Sequence, residues 1–457
     1  MRQKILIWLF ASFTASNVLG QTPPLPKFQQ IKDLALQSDY AYKVTAHLSG
    51  NIGPRLSGSQ NAECAVQYIA DEMRRLGLVV QLEKITVPHW VRGIETGELT
   101  NFPGYVPKEK QRIILTAPGG SVATSDGGLT RQLLVVHSFK ELETIDKRLI
   151  KNKIILFNVA GEYGQCVPYR VSGPSSAARF GASATLVRSV GIVSSKLPHT
   201  GITIYNPSAP RIPAAAVTSE CAEIIENLAK KGPVTMHLVL TPKTFPDAVS
   251  YNVTGDLVGR ERPEQIIIVS GHLDSWDLGT GTLDDAVGVA AALDTARILS
   301  HIKPRSKKTI RVVAWMGEEF GGVGGKQYTN NPTNDLKNHF AAIECDLGAE
   351  HPIELHAAGK PELLAWLNPI RATLQALGVG TLRLTNSTGG AGTDIEPLAQ
   401  KGVPSFGIIQ DKHFYFDYHH TAADTLDKVD PKELQSNVLV MSVLTYTLSE
   451  MQRPLPR

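Results

Sequence analysis

Apolar residues recur at helical spacing at Ala62, Ala65, Val66, Ile69, Met73 and Leu76 and stop at Gly77, which predicts a helix ending on a glycine cap. The segment before it, Asn51 to Ser59, is rich in turn formers, and Ser59 is placed to act as the N-cap. From about residue 113 to 245 the texture changes to short β-branched runs, such as Gln132 to His137 and Lys153 to Val159, separated by Gly, Ser and Pro clusters. This predicts a compact, β-rich inserted domain. The C-terminal half alternates strand signals (Gln265 to Ser270, Thr309 to Met316, Phe340 to Asp346) with helical ones (Ala286 to Leu299, and a closing helix from Asp430-Pro431 to about Met451). Such alternation predicts a layered α/β domain with a largely parallel sheet, whose sites form beyond the C-terminal ends of strands.

The N-terminus follows a different pattern. Arg2 and Lys4 precede the apolar run Ile5 to Phe13, and small and polar residues then lead to Gly20 and Gln21. This is the pattern of a secretory signal peptide over residues 1–20, so the protein is expected to be secreted or periplasmic. No other long uncharged apolar stretch occurs, and no stable membrane anchor is expected. At 457 residues the chain exceeds what one hydrophobic core holds. The expected division is a leader (1–20), an N-terminal part of the main domain (21–112), the insert (113–245) and a catalytic part (246–457).

Composition excludes several classes. With 42% hydrophobic and 19% charged residues the chain is too apolar to be mostly disordered. A formal net charge of +3, part of it in the leader, is not the concentrated basic charge of a nucleic-acid partner. Cys64, Cys166, Cys221 and Cys345 are widely spaced, which excludes a disulfide framework or zinc finger and reads as free thiols with room for one disulfide. Asn252-Val253-Thr254 and Asn386-Ser387-Thr388 match glycosylation sequons, a weak signal.

The chemistry gathers at strand ends. Ile266 to Ser270 is a continuous apolar run, as expected of a strand covered on both faces, and it delivers Gly271-His272-Leu273-Asp274. Residues two apart share a strand face, so the Asp274 carboxylate is expected to hydrogen-bond the His272 imidazole and fix its tautomer. Leu283-Asp284-Asp285-Ala286 follows at the start of an apolar helix, where the positive end of the dipole favours a carboxylate. The next strand ends in Gly317-Glu318-Glu319, two adjacent acids that repel unless a cation or solvent relieves them. The strand after it closes on Asp346, and a late loop supplies Tyr418-His419-His420-Thr421. Mixed imidazole and carboxylate ligands suit zinc, and a shared carboxylate suits two metals. Two neutral imidazoles with Asp284, Glu319 and Asp346 leave two divalent ions one positive charge in surplus, which suits a bridging hydroxide. A Ser-His-Asp hydrolase is disfavoured because no G-x-S-x-G elbow occurs.

At these residues the chain resembles the M28 family of co-catalytic zinc peptidases, and within it the secreted carboxypeptidase Q type. The motifs are Gly271-His272-Leu273-Asp274-Ser275-Trp276-Asp277, Leu283-Asp284-Asp285, Glu318 to Gly324, Asp346 and His420-Thr421-Ala422-Ala423-Asp424-Thr425. Arg55 to Ser59 and Gly389 to Asp394 are similar too. The resemblance implies a three-layer α/β/α peptidase domain with a mixed, largely parallel sheet, and a protease-associated (PA) domain as the insert. It implies two Zn2+ ions, with His272 and Asp346 on one, Glu319 and His420 on the other, and Asp284 bridging them. Glu318 becomes general base and acid, and Asp274 the orienting carboxylate. His420 is taken over His419 because it directly precedes Thr-x-x-Asp-Thr, and Asp285 stands where many members have Asn. The implied substrates are short peptides, dipeptides with free ends foremost, cleaved by a chain that forms a homodimer. An aminopeptidase acting on longer peptides is the nearest alternative; a glutaminyl cyclase and a non-catalytic receptor-like protein are more distant ones.

Overall fold

In the computed structural model, which describes residues 25–190, 196–385 and 391–457, the strand signals of the C-terminal half converge on one mixed sheet. The expected leader, most of the Pro-rich joint after it, the sequon at Asn386 and the pair Gly389-Gly390 lie outside the described residues. Numbering strands in chain order, the main sheet contains β1 (Val79–Val91), β9 (Lys243–Leu257), β10 (Arg262–His272), β11 (Lys308–Trp315), β12 (His339–Cys345), β13 (Pro352–Ala358), β14 (Thr381–Thr385) and β15 (Ser405–Gln410). A second sheet contains β2 (Glu95–Asn101), β3 (Leu115–Thr116), β4 (Leu129–Val136), β5 (Ile154–Phe157), β6 (Ala184–Arg188), β7 (Ala214–Val217) and β8 (Thr235–Leu240).

The main sheet runs in the order β1-β9-β11-β10-β12-β15-β13-β14. Its centre, β11-β10-β12-β15, is parallel, and antiparallel pairs close it on both sides. The apolar run of β10 explains why this strand sits centrally. Ile267 and Val269 pack among the helices Val287–His301 and Pro431–Glu450, while Ile268 faces the opposite side with Val313, Trp315 and Tyr328. Each such fully buried side chain contributes about 2 kcal/mol of transfer free energy. Because β10, β11 and β12 are parallel neighbours, the residues that follow them emerge along one edge.

Both helices with explicit sequence caps form. Gln60–Arg75 starts on Ser59, whose hydroxyl accepts from the Ala62 N–H at 3.1 Å, and Gly77 has φ +76°. Pro431–Glu450 starts on Asp430, whose carboxylate accepts from the Lys432 N–H at 2.8 Å.

The inserted segment differs from the β-rich unit expected. Its sheet, β2-β8-β4-β5-β6-β7-β3, has a parallel centre, β4 to β7, with a helix on each face. Ile154 and Leu156 of β5 face Cys221, Ala222 and Ile225 of the helix Ser219–Ala229, whereas Ile155 and Phe157 face Ala177 and Ala178 of the helix Tyr163–Ala178. The second helix contains Pro168, Pro174, Gly164 and Gly173, residues that signal a break and so hid it. The expected limits of 113–245 shift as well. β2 already pairs with β8 through the two-residue alternation that buries Gly97 and Leu99, and β9, starting at Lys243, belongs to the main sheet.

No helix among the described residues is long and apolar enough to cross a membrane. All four cysteines are free, with Cys64 exposed and the other three buried. The Asn252 sequon is inaccessible: the side chain is buried in β9, donates to Glu83 and the Gly324 carbonyl, and accepts from the Met316 N–H.

Candidate metal centre

His272 is the last residue of β10. Its Nδ1 lies 2.9 Å from the main-chain carbonyl of Asp274, and with Nδ1 donating there, Nε2 is free to face Asp284 Oδ1 at 2.9 Å and Asp346 Oδ1 at 3.3 Å. This corrects the expected bond from the Asp274 carboxylate to the imidazole. The strand ends at His272, so the two-residue periodicity no longer holds, and the carboxylate of Asp274 stays 3.8 Å from Nδ1. It turns instead to the end of β11, where it accepts from the N–H groups of Gly317 (2.7 Å), Glu318 (3.1 Å) and Glu319 (3.4 Å). Asp274 thus shapes the turn that presents both glutamates. Gly317 takes φ +86° in that turn, a conformation that favours glycine.

The two acids that open the helix Val287–His301 have different tasks. Asp285 is the carboxylate at the helix start, accepting from Gly288 N–H at 2.9 Å and from His272 N–H at 3.0 Å. Gly271 leaves room for it, since a Cβ there would fall 2.5 Å from Asp285 Oδ2. Asp284 faces the cavity instead. Its Oδ1 meets His272, and its Oδ2 lies 3.1 Å from His420 Nε2, so one carboxylate spans both imidazoles. Arg55 and Asp424 hold this loop. Arg55, fully buried, donates to the carbonyls of Leu273, Thr280 and Gly281, and Asp424 accepts from the Thr282 and Leu283 N–H groups.

His420 Nε2 also lies 3.1 Å from Glu319 Oε2. Its neighbour His419 stacks on it at 3.6 Å between ring centres and approaches Asp284 at 3.5 Å. Only His420 of the doublet is paired with both Asp284 and Glu319. The structure therefore brings His272, Asp284, Glu319, Asp346 and His420 together, with Glu318 beside them on the wall of a cavity of about 280 Å³.

Residues missed in the sequence come from the second sheet's segment. Thr200 holds His420 by its main chain, and Tyr163 and Arg170 line the same cavity. Tyr163 stacks on Phe416 at 4.8 Å and meets the His419 ring edge-on. No periodicity or motif marks these residues.

So many acids in a small space titrate abnormally. Burial, then Asp346, Asp284 and Asp274, push Glu318 up to about 8. Burial and the charges of Asp284 and Glu318 hold Glu319 well above the usual carboxylate range. Burial works to lower His272, but Asp346, Asp274 and Asp284 outweigh it and raise it. Asp284 goes the other way, because its bonds to His272 and His420 overcome the cost of burial. Cations would relieve this repulsion. The donor set fits them: Asp284 Oδ2 and Asp346 Oδ1 are buried and, among the described residues, face only imidazole nitrogens, at 3.1 Å from His420 and 3.3 Å from His272, and such oxygens, with those nitrogens, are zinc-type ligands.

Comparison with known proteins shows the family of the chain. The model of peptidase family M28 matches residues 252–445. Carboxypeptidase Q of Homo sapiens is 36% identical over 420 residues, covering 91% of this chain and 87% of that protein. Carboxypeptidase Q of Mus musculus is 36% identical over 433 residues, covering 93% and 90%. A peptidase M28 precursor from Shewanella amazonensis SB2B, 31% identical, superposes with a TM-score of 0.88 over 94% of this chain and 98% of its own. A zinc aminopeptidase from Bacillus subtilis, 22% identical with a TM-score of 0.65 over 92% and 99%, shares the fold.

Proposed function

The chain belongs to peptidase family M28, and from that premise we propose that it is an exported, zinc-dependent exopeptidase that hydrolyses short peptides, with dipeptides bearing free termini as the preferred substrates. The observation that carries the reading is the Asp284 carboxylate, each of whose oxygens faces a different imidazole, the arrangement two metals share. His272 and Asp346 would hold one Zn2+, Glu319 and His420 the other, and Asp284 both. When bound, the zinc ions supply Lewis acidity, polarising the scissile carbonyl and acidifying water. Glu318 takes the proton of the attacking water and returns it to the leaving amine. Its elevated proton affinity suits that exchange near neutral pH, although bound cations would lower it. Asp274 keeps Glu318 and Glu319 in register through their main-chain N–H groups. We assign the second sheet's unit as a PA-type insert that closes over the site.

The resemblance to carboxypeptidase Q favours the dipeptidase mode, whereas aminopeptidase YwaD of Bacillus subtilis, 24% identical over 99% of this chain, favours an amine-directed one. The test is hydrolysis of a free dipeptide, its N-acetyl form and its C-terminal amide, each with chelator and with zinc restored. Zinc-dependent cleavage that needs the free carboxylate is expected. Cleavage that needs only the free amine would overturn the dipeptidase mode, and metal-independent cleavage the whole reading.

A further inference from the structure

The strands that deliver the metal ligands start from a basic edge. Arg262 opens β10 and Lys307 immediately precedes β11, while His272 closes β10 and Glu318 and Glu319 follow β11. The 8 residues of β11, at about 3.3 Å each, set the two edges roughly 25 Å apart. Three loops meet at the basic edge: Val258 to Glu261 between β9 and β10, Ile302 to Lys307 before β11, and Met451 to Arg453 after the closing helix. Arg260 Nε donates to the Arg305 carbonyl at 2.6 Å, and Arg262 Nη1 to the Gln452 carbonyl at 2.9 Å, which ties the loops together. Arg260, Arg262, Lys303, Arg305, Lys307 and Arg453 form one patch, accompanied by the acids Glu261, Glu264 and Glu450. The surplus of three positive charges equals the formal net charge of the whole chain, +3, so the rest of the molecule balances. Ion pairing leaves most of this surplus uncompensated. Glu450 lies 3.5 Å from Arg260 and 3.8 Å from Lys307, and Glu261 meets Arg260 and, at 4.0 Å, Lys307. Among the described residues no carboxylate lies within ion-pair distance of Arg262, Lys303, Arg305 or Arg453, and the last three are exposed. Nor are these cations needed to cap the closing helix: buried Lys308 does that, donating to the carbonyls of Leu448, Ser449 and Met451.

We propose that this edge is a docking surface for an anionic lipid bilayer, which the protein binds reversibly by charge with its metal-centre edge turned outward. A lipid surface fits better than a sulfated or phosphorylated polymer. Arg260, Arg262 and Lys303 already spend donors on main-chain carbonyls, so the patch presents a positive field more than open guanidinium forks. Val258, an exposed apolar side chain two residues before Arg260, is of the kind that a headgroup layer takes up. Each cation near a charged bilayer strengthens binding about fivefold, so a surplus of this size gives weak, salt-sensitive attachment and no anchor. Docked in this way, the protein keeps the cavity at its opposite edge clear of the membrane. The attachment is independent of the peptidase reading, since none of the six cations belongs to the metal centre.

The test is flotation of the protein, purified after export, with vesicles of phosphatidylcholine alone or with about 30% phosphatidylglycerol, at about 0.05 M and about 0.5 M NaCl. Wild type is expected to float only with the anionic vesicles, and only at the lower salt. Arg305→Gln combined with Arg453→Gln removes two exposed, unpaired cations and should weaken partitioning about 30-fold. Arg305→Lys combined with Arg453→Lys keeps the charge and should bind as wild type does, which separates loss of charge from loss of fold. Lys108→Gln combined with Lys110→Gln, the same charge change on the exposed helix Lys108–Gln111, should leave partitioning within about twofold of wild type. Wild type that fails to float with anionic vesicles at low salt overturns the proposal, even if a sulfated polysaccharide retains it. Equal flotation with neutral vesicles, or flotation that survives the higher salt, overturns it too. So does equal weakening by the two pairs of glutamine substitutions, which would make net charge and not this edge the cause.

Discussion

The main chain of Thr200 grips His420 from both sides: the Thr200 N–H donates to the His420 carbonyl at 2.9 Å, and the Thr200 carbonyl lies 3.3 Å from His420 Nδ1. The first contact holds a residue that sits at φ +59°. The second occupies Nδ1 and leaves Nε2 for the cavity. A segment far from the strand-end ligands in sequence thus sets the orientation and tautomer of one of them.

Thr200→Pro deletes that N–H, and it should reduce zinc retained after dialysis from two ions per chain towards one, with activity falling at least about tenfold. Thr200→Ala keeps the main-chain bonds and should retain both ions. Atomic absorption on the two variants checks the difference.

Asp274→Ala removes the acceptor for three N–H groups at the end of β11. Leaving buried donors unpaired should cost about 2 to 4 kcal/mol of stability. Because Glu319 then loses its fixed position, zinc affinity should fall about 10- to 100-fold. Denaturant unfolding and competition against a zinc chelator measure the two effects.

The clustering of the candidate ligands was legible because β10, β11 and β12 each end near a donor, and parallel neighbours bring such ends to one edge. Helices with explicit caps, at Ser59 and Asp430, were legible for a local reason. The remainder depends on contacts that leave no local trace. The Asp274 carboxylate reaches another strand's turn because its own strand has ended, and Tyr163 and Arg170 sit in a helix whose prolines and glycines read as loop. Thr200 meets His420 across more than two hundred residues.

His339, outside the metal centre, predicts a pH effect on stability. Its Nε2 lies 2.8 Å from the Tyr328 hydroxyl and its Nδ1 lies 3.1 Å from the Asp335 carbonyl, so the neutral ring donates from Nδ1 and accepts at Nε2. Burial lowers it from 6.5 to about 4, although the Asp335 carbonyl favours the charged form. Between those values the unfolded chain binds the extra proton, so stability falls as pH drops through this window. The loss from this residue is about 2 kcal/mol between about pH 7 and pH 5. His339→Phe should flatten the pH dependence of urea unfolding by that amount, and an unchanged slope would count against a neutral buried His339.

Glu318→Gln tests the peptidase assignment most directly, because it removes the proton acceptor and leaves His272, Asp284, Glu319, Asp346 and His420 in place. Zinc content and dipeptide hydrolysis are measured on the same preparation. The expected result is two zinc ions per chain, as in wild type, with kcat reduced by about 10³-fold or more. Near-normal turnover at full zinc occupancy would contradict Glu318 as the base, and a wild-type chain that binds no zinc would contradict the metal centre itself.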